Sequence, residues 1–480
     1  MNKPIIRVFA VLLVLFGLLA YFTTRWTVID RAALQENPQN KRELLAQQRI
    51  ARGQIVADTG TVLARSVRRS DGTYARRYPE NGLFAQTVGY SFLNPGTAGL
   101  ERFYNGQLTG RTAGLEGTLR KLQGKRQQGN DLQTALDPQS QQIALDQLAG
   151  RAGAVVALDP RSGRVKVMAS IPSYDPNVLR SAKQTARLNS APGAPLLNRT
   201  TAGLYPPGST FKVVTATAAI DSGLYEPTST VNGDNAIPIS GVPLNNDGGQ
   251  SFGEVDLTTA LTQSVNTVWA QVGERVGKRR MSRYMERFGF GSLVPVDLPA
   301  SERLASGLYC SPDGNRELVS PTDSCVDIGR ASIGQDKLLA TPLQMAMVAS
   351  AVANRGILMR PGIATRTIDP EGRTAYENTP QRFSRVMSAA SAEKLTAMMQ
   401  RVVQEGTGTA AALSGIEVAG KTGTAEIDVI NNISQPWFIA FAPASDPQVA
   451  IAVTIEKTVG GFGGTDAAPI AKAVMESLLR

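Results

Sequence analysis

A serine and a lysine that could work together chemically stand three residues apart in the stretch LYPPGSTFKVV. Two prolines and a glycine lead into Ser209, and this order predicts a restricted backbone, an unusual turn and then a helix that starts at the serine. Residues three apart lie on one face of a helix, so Lys212 can direct its ammonium nitrogen at the Ser209 hydroxyl. The pair could supply a nucleophile and the base that takes its proton.

The lack of histidine narrows the chemistry that is open to Ser209. The chain has 480 residues and no histidine, which excludes a Ser-His-Asp triad, a Cys-His pair and a histidine-ligated zinc site. Its two cysteines, Cys310 and Cys325, are too few for an all-thiolate zinc site. We therefore expect no metal and no cofactor, and a base of another residue type.

A lysine can serve as that base only if its pKa falls, because the free side chain has a pKa of about 10.4. Burial, the positive end of a helix dipole and a second cation each lower the pKa of a lysine. Lys421 offers such a cation. It opens the segment KTGT, in which Gly423 allows a strand edge to approach a ligand closely.

A third short motif, SVN, runs from Ser264 to Asn266 and follows a helical stretch. Each motif alone carries little weight, because it occurs by chance in a chain of this length. S-x-x-K, S-x-N and K-T-G in this chain order, each in a suitable context, form a strong signal for serine acyl transfer.

With these motifs the chain resembles the penicillin-binding proteins and the serine β-lactamases. The resemblance extends from residue 52 nearly to the end and is strongest for class B penicillin-binding proteins, in particular the actinobacterial penicillin-binding protein A type. It rests on the segments RGQIVADTGTVLA, GLERFYNGQLTG, GAVVALDPRSGRVKVMASIPSYDPN, NRTTAGLYPPGSTFKVVTA, IGQDKLLATPLQMA and AGKTGTAE. It implies a peptidoglycan D,D-transpeptidase that attacks a D-alanyl-D-alanine stem end, releases D-alanine and acylates a neighbouring amine, and that β-lactams inhibit covalently.

The resemblance also implies catalytic roles for five residues. Ser209 would be the acylated nucleophile and Lys212 its general base. Ser264 would relay protons to the leaving amine while Lys421 holds its hydroxyl. Asn266 would hydrogen-bond the peptide backbone of the substrate.

Substrate binding would fall to the K-T-G strand. Thr422 and Thr424, on either side of Gly423, would meet the terminal carboxylate. The backbone N–H groups of Ser209 and Thr424 would form the oxyanion hole, in which one donor typically contributes about 3 kcal/mol of transition-state stabilisation.

Three other functions remain open from the sequence. A D,D-carboxypeptidase would pass the acyl group to water. A slow β-lactamase or a β-lactam sensor would share the motifs, but a class A β-lactamase needs a glutamate in an E-x-x-L-N segment after S-x-N. The RLN at 187–189 precedes Ser209 and has Thr185 at the glutamate position. The third is a non-enzymatic scaffold or activator of a membrane glycan polymerase.

Structural roles compete with these functional ones. Ser209 could simply cap a helix, and Asn266 could be a turn residue. We interpret Glu254 and Asp256 as capping or first-turn charges, and Trp437 as a packing or rim residue.

The N-terminus predicts a membrane anchor. Val8 to Phe22 carry no charged side chain, and the apolar segment reaches about 20 residues, enough to cross a bilayer as a helix. No good cleavage site follows, which favours an uncleaved signal anchor over a signal peptide. Lys3 and Arg7 at its start predict a single-pass protein of the cell membrane with an extracytoplasmic catalytic domain.

An oxidising compartment favours a disulfide between Cys310 and Cys325 over free thiols or metal ligands. Residues 41–130 hold 15 Lys or Arg and 6 Asp or Glu, nearly the whole of the net charge of +10. This basic region could face anionic lipids or wall polymers, or be a solvated surface; nucleic acid is not an expected partner.

The pattern predicts an α+β protein. Two strands, many helices, three strands and a final helix fit a five-stranded antiparallel sheet covered by helices on both faces, from about residue 136 onward. We expect an anchor at 1–25, a noncatalytic, dimerisation-like pedestal at 26–135 that is mainly β or α+β, and a transpeptidase domain at 136–480. Helical patterns in the middle lie at 210–222, 256–277, 278–288, 341–354 and 390–404.

The resemblance implies three kinds of partner: peptidoglycan stem peptides, β-lactam antibiotics, and a polytopic glycan polymerase of the SEDS type. The polymerase would be reached through the transmembrane helix and the pedestal.

Overall fold

The computed structural model describes residues 3–30, 48–110, 127–311 and 316–480. Helix α1 (Lys3–Thr24) continues into one π-helical turn, Arg25–Ile29. Lys3–Thr27 is long and apolar enough to cross a membrane, and none of it is buried in the protein. Residues 31–47 and 111–126, which include part of the basic region, lie outside the described residues.

The segment that precedes residue 135 forms short strands and one-turn helices. The strands are β1 (Ile55–Val56), β2 (Val62–Arg68), β3 (Tyr74–Arg77), β4 (Ser91–Phe92), β5 (Gly96–Thr97) and β6 (Asp131–Thr134). The helices are α2 (Ala85–Val88), α3 (Gly99–Phe103) and α4 (Asn105–Leu108).

Longer helices follow residue 135. They are α5 (Pro138–Leu148), α6 (Ala182–Asn189), α7 (Arg199–Ala202), α8 (Lys212–Asp221), α9 (Leu257–Thr262), α10 (Asn266–Val276), α11 (Lys278–Phe288), α12 (Ile328–Ala331), α13 (Pro342–Ala353), α14 (Ala389–Gln404) and α15 (Ala468–Leu478). Single 3-10 turns span Pro176–Arg180, Gly208–Phe211, Asp247–Gly249, Ala300–Glu302 and Thr409–Ala411, and a π turn spans Gly463–Ala467.

The strands of this region fall into a central set and several short pairs. The central strands are β7 (Gly153–Leu158), β8 (Val165–Ile171), β20 (Ala419–Asp428), β21 (Ile433–Ala442) and β22 (Val449–Ile455). The others are β9 (Thr230–Asn232), β10 (Ile237–Ile239), β11 (Val242–Leu244), β12 (Glu254–Asp256), β13 (Gly307–Cys310), β14 (Glu317–Val319), β15 (Leu338–Leu339), β16 (Ile357–Met359), β17 (Ala364–Ile368), β18 (Thr374–Glu377), β19 (Arg382–Arg385) and β23 (Thr458–Val459).

The central sheet has the order β20-β21-β22-β7-β8 with antiparallel pairing throughout, and β23 adds to β21. Strand alternation buries both of its faces. Val155 and Ala157 pack with α5 and α15, while Val156 and Leu158 share the larger core with α13. The predicted α+β fold, a five-stranded antiparallel sheet with helices on both faces, is confirmed.

A second sheet combines strands of the N-terminal segment with β17 and β18. Its order is β18-β17-β6-β1-β2-β3, with Thr367 of β17 opposite Leu132 of β6. Strands from beyond residue 360 therefore extend the sheet of the N-terminal segment. The predicted boundary near residue 135 stays a prediction, because this sheet has strands from both sides of it.

One predicted helix proves wrong. Residues 256–277 form two helices, α9 and α10, instead of one. The break lies at Ser264, whose φ of 61° is left-handed and cannot continue a right-handed helix. Asp256 caps α9 by accepting a hydrogen bond from the Thr259 N–H at 2.7 Å, so its interpretation as a capping charge is confirmed.

Candidate active site

Ser209 lies in the 3-10 turn Gly208–Phe211, and α8 starts three residues later at Lys212. The N-cap positions of the turn and of α8 are Pro207 and Phe211, so Ser209 fills neither of them. The capping role that competed with its role as a nucleophile is therefore wrong.

The turn lies directly against strand β20. Gly208 has a φ of 53°, and a Cβ at this position would stand 3.0 Å from the backbone nitrogen of Ala425 and 3.1 Å from the carbonyl oxygen of Thr424. A Cβ at Gly423 would stand 2.8 Å from the carbonyl oxygen of Pro207. Glycine on each side lets the S-x-x-K turn and the K-T-G strand approach backbone to backbone.

Lys212 is fully buried and points at the S-x-N motif. Its Nζ donates to the carbonyl oxygen of Ser264 at 2.7 Å, to Asn266 Oδ1 at 2.7 Å and to Ser264 Oγ at 3.2 Å. The left-handed backbone of Ser264, between α9 and α10, turns both its carbonyl and its hydroxyl toward this nitrogen. The first two motifs thus form one hydrogen-bonded unit.

Lys421 reaches the same serine from the sheet. It is fully buried, and its Nζ donates to Ser264 Oγ at 2.9 Å and to the carbonyl oxygen of Thr422 at 3.0 Å. The Ser264 hydroxyl oxygen therefore lies between two lysine nitrogens. A proton can pass between Ser264 and either lysine without a large movement.

Burial makes both lysines poor cations. Burial first, and the charge of Lys421 second, hold the pKa of Lys212 well below its usual range, while Asp247 acts weakly in the opposite direction. Burial lowers the pKa of Lys421 to about 7. A lysine with a lowered pKa can be neutral at physiological pH and accept a proton.

Asn266 is the first residue of α10 and has both ends of its amide engaged. Oδ1 accepts from Lys212 Nζ, and Nδ2 donates to the carbonyl oxygen of Asn245 at 3.1 Å. Asn246, which follows Asn245 in the chain, is buried, and its Oδ1 accepts from the Thr267 N–H at 3.0 Å. These contacts fix the start of α10 and hence the position of the Asn266 amide.

The two threonines of the K-T-G segment point to different neighbours. Thr422 Oγ1 lies 2.6 Å from Thr407 Oγ1, and Thr424 Oγ1 accepts from the Gly463 N–H at 3.2 Å. Thr407 and Gly463 thus orient these hydroxyls, and nothing in the local sequence pointed to either residue.

The backbone N–H of Thr424 is suited to an oxyanion. β20 is the edge strand of the central sheet, and Thr424 lies opposite Pro436, which has no N–H. The Thr424 carbonyl faces the Gly208 turn, and in a strand the N–H and C=O of one residue point to the same side. The Thr424 N–H is therefore directed at the turn that carries Ser209.

Trp437 links strand β21 to the segment that leads into the Ser209 turn. It is fully buried on β21, opposite Gly423, and its Nε1 donates to the carbonyl oxygen of Pro206 at 3.0 Å. Its interpretation as a packing residue is confirmed, but no sequence pattern indicates this hydrogen bond. The hydrogen bond depends on the tertiary fold, which brings Pro206 next to β21.

A partly buried ion pair supports Tyr205, just before the two prolines. Arg199 Nε lies 2.8 Å from Glu456 Oε1, which also accepts from the Tyr205 hydroxyl. The Tyr205 ring packs edge-on to Trp437, with centroids 6.3 Å apart. Arg199 and Glu456 were missed by sequence analysis, because they lie far apart along the chain.

Cys310 and Cys325 form a disulfide, with Cα atoms 6.6 Å apart. Asp323 lies close to both sulfur atoms. Since the sulfur atoms are bonded to each other, neither offers a thiolate to a metal ion.

Comparison with known families identifies the domain around Ser209. The family model for the penicillin binding protein transpeptidase domain matches residues 153–476, which include all three motifs. The chain belongs to the penicillin-binding protein transpeptidase family. The model for the penicillin binding protein A dimerisation domain matches residues 52–132. The family predicted from the motifs is thereby confirmed.

Relatives with assigned names match over the whole length. The chain is 35% identical to the peptidoglycan D,D-transpeptidase PbpA of Mycolicibacterium smegmatis, covering 100% of this chain and 99% of that protein. It is 34% identical to the PbpA of Mycobacterium tuberculosis H37Rv over the same shares. The structure of M. tuberculosis penicillin-binding protein A as a ceftriaxone acyl-enzyme covers 91% of this chain and 100% of its own, at a TM-score of 0.81 and 33% identity.

Proposed function

We propose that this penicillin-binding protein is a peptidoglycan D,D-transpeptidase that works through an acyl-enzyme on Ser209. The observation that carries the proposal is the partly buried Ser264 hydroxyl, held between Lys212 Nζ and Lys421 Nζ beside the Ser209 turn. This arrangement supplies a proton acceptor and a proton relay without histidine.

In the acylation step, neutral Lys212 takes the proton of Ser209 as Oγ attacks the carbonyl carbon of the penultimate D-alanine. The oxyanion that forms is stabilised by the backbone N–H groups of Ser209 and Thr424. When the C–N bond breaks, the proton on Lys212 reaches the leaving amine through Ser264 Oγ. D-alanine departs and an ester on Ser209 remains.

In the second step an amine from a neighbouring stem attacks this ester. The amine loses its proton through the same Ser264 and Lys212 path, and Ser209 Oγ leaves and is reprotonated. The stem peptides become joined by a new amide bond, and the enzyme returns to its starting state.

Substrate binding uses groups on both sides of the turn. The Asn266 amide would hydrogen-bond the stem backbone. Thr422 and Thr424 would bind the terminal carboxylate, with the field of Lys421 close by. Gly423 keeps that strand edge free of a side chain.

β-Lactams would trap the acyl-enzyme. The names of the M. tuberculosis structures describe acyl-enzyme complexes with ceftriaxone, imipenem and penicillin G, and this supports the same trapping here. Thr185, at the position where a deacylating glutamate was sought, donates its hydroxyl to the carbonyl oxygens of Leu179 and Ser181. Hydrolysis by water should be slow, which favours a transpeptidase over a β-lactamase.

Location and assembly follow from the rest of the chain. α1 would anchor the protein in the cell membrane, with the catalytic domain outside the cytoplasm; the Cys310–Cys325 disulfide suits that compartment. A polytopic SEDS-type glycan polymerase would bind through α1 and the pedestal, which we place at 26–135. The basic excess of the pedestal supports a partner or wall-facing role.

Mass spectrometry after penicillin G treatment tests the central assignment. We expect one stable acyl adduct, mapped to Ser209 and absent from Ser209→Ala. Ser190→Ala, in an exposed turn, serves as the matched control and should still be labelled. An adduct on another residue, or rapid loss of the adduct with turnover of penicillin, would contradict the proposal.

Two further assays separate the alternatives. A stem-peptide substrate with a D-amino acid acceptor should yield the exchanged peptide, whereas hydrolysis alone would indicate a carboxypeptidase. Full rescue of a depletion strain by Ser209→Ala would make the scaffold role the primary one.

A further inference from the structure

Far from the active-site motifs in sequence, a small cleft opens between the β2–β3 hairpin and the turn Pro176–Arg180. Its volume is about 70 Å³, and four arginines line it: Arg52, Arg69, Arg76 and Arg180. We call it the arginine cleft. Aromatic and hydroxyl side chains, Tyr74, Phe92 and Ser91, complete its wall.

Two guanidinium groups of the cleft have N–H donors that are buried and unpaired. Arg76 Nη2 and Arg180 Nε have no hydrogen-bond partner. Other donors of these side chains are engaged: Arg76 Nε donates to Glu101 Oε1 at 2.5 Å, and Arg180 Nη2 donates to the carbonyl oxygen of Arg76 at 2.7 Å. Since Arg76 is only 5% exposed, water has little access to its unpaired nitrogen. Such groups are rare in folded proteins and call for a partner.

The charges of the cleft are not balanced by the acid beneath it. Glu101 is fully buried and lies between Arg52 and Arg76, at 2.6 and 2.5 Å. It is shared between these two arginines and, among the described residues, forms no ion pair with Arg69 or Arg180. Arg180 loses water by burial and also lies in the positive field of Arg77 and Arg69, and together these lower its pKa. In the described parts of the chain, neither Arg69 nor Arg180 has a carboxylate in an ion pair.

We propose that the arginine cleft binds a phosphate-type oxyanion. A guanidinium fork matches phosphate oxygens in geometry, and several arginines together suit an anion with more than one charge better than a single carboxylate. The volume fits a phosphate group rather than a whole sugar or peptide. The phosphate could come from a free ion such as diphosphate, or from the headgroup of an anionic lipid.

A bound phosphate would join two segments that are distant in sequence. Arg69 and Arg76 belong to the β2–β3 hairpin, and Arg180 to the turn Pro176–Arg180. These segments already meet through the hydrogen bond from Arg180 Nη2 to the Arg76 carbonyl. Phosphate binding should therefore stabilise the contact between the hairpin and the turn.

The experiment uses the full chain in detergent and measures its thermal unfolding with two probes. One is inorganic diphosphate and the other is water-soluble dihexanoylphosphatidic acid, each compared with sodium chloride at equal ionic strength. Arg69→Gln and Arg180→Gln each remove one arm of the cleft. Arg68→Gln, an exposed neighbour that does not line it, removes the same charge as a matched control.

We expect at least one probe to raise the unfolding midpoint of the wild type and of Arg68→Gln. Arg69→Gln and Arg180→Gln should weaken the apparent affinity about tenfold or more, the usual effect of losing a charged hydrogen bond. A response to both probes supports phosphate recognition itself, and a response to the lipid alone identifies the headgroup as the source. Equal responses in all variants, or no response beyond that to chloride, would overturn the proposal; the unliganded midpoint of each variant shows that it is folded.

Discussion

The described residues include two pairs of buried cations, and the groups between the cations differ. In the N-terminal segment, Arg52 and Arg76 lie on either side of the Glu101 carboxylate. At the active site, Lys212 and Lys421 lie on either side of the Ser264 hydroxyl. Both clusters are withdrawn from water, so the difference lies in what sits between the cations.

A carboxylate raises the pKa of the cation beside it, against the effect of burial, whereas a neutral hydroxyl has no charge that could do so. Burial alone would raise the pKa of Glu101, but Arg76 and Arg52 outweigh it and hold this pKa below its usual value. The triad stays ionised and its geometry stays fixed. Ser264 offers no compensating charge, and the pKa values of the two lysines fall. The cluster around Glu101 is therefore suited to stabilising the fold. The cluster around Ser264 is suited to transferring a proton.

The largest effect should come from removing the base. Lys212→Met keeps a buried unbranched chain but deletes the nitrogen, and we expect acylation by penicillin G to slow by about a thousandfold, within the usual range for a general base. The fold should tolerate the change, since the length and unbranched shape of the buried side chain are nearly kept. Stopped-flow or mass-spectrometric acylation rates give the measurement, with exposed Lys183→Met as the control. An unchanged rate would assign the base to another residue.

The opposite outcome is expected from the other cluster. Glu101→Gln keeps the shape of the side chain but leaves two buried arginines without a counter-charge, so the free energy of unfolding should fall by about 3 to 5 kcal/mol. Urea unfolding measures it. Glu80→Gln, an exposed acid in the same segment, should change it by less than about 0.5 kcal/mol. If the two variants were equally stable, the cluster of Arg52, Glu101 and Arg76 would not stabilise the fold.

The effect of Lys421 should be visible in the pH dependence of the acylation rate. Because neutral Lys212 is the base, the acylation rate should rise with pH through the lowered pKa of Lys212. Lys421→Met removes the second cation, so the pKa of Lys212 should move back up and the rising limb should shift to higher pH. Acylation rates between about pH 5 and pH 10, below the free lysine value, locate the limb. A limb that keeps its position while the rate falls would limit Lys421 to substrate binding.

Much of this architecture could be predicted from residue patterns. The two strands around the turn at Gly163, β7 and β8, and the helical periods of α11 and α13 are local signals that the fold keeps. The break at Ser264 could not be predicted, because serine has no local preference for a left-handed backbone. The pairing of β17 with β6 depends on contacts between strands more than two hundred residues apart.

The active site also contains residues that the sequence predicts and residues that it does not. The motifs named Ser209, Lys212, Ser264, Asn266 and Lys421, and the structure brings the last four into one hydrogen-bonded group next to the turn of the first. Thr407, Gly463 and Trp437 support that group through tertiary contacts and belong to no short motif. The Glu101 triad was likewise hidden, since the sequence showed only an excess of basic residues.

We expect the smallest effect from losing the uncharged hydrogen bond between Trp437 and Pro206. Trp437→Phe keeps the buried ring but removes the Nε1 donor, which leaves the Pro206 carbonyl unpaired. We expect a loss of about 1 kcal/mol in unfolding free energy and a fall of about fivefold in the acylation rate. Tyr309→Phe also removes one side-chain bond to a backbone carbonyl, that of Ala305, but away from the motifs. It should lose similar stability with no change in rate. Equal rates for the two variants would mean that the Ser209 turn is held by its glycine contacts with β20 alone, and that the active-site cluster needs no support from behind.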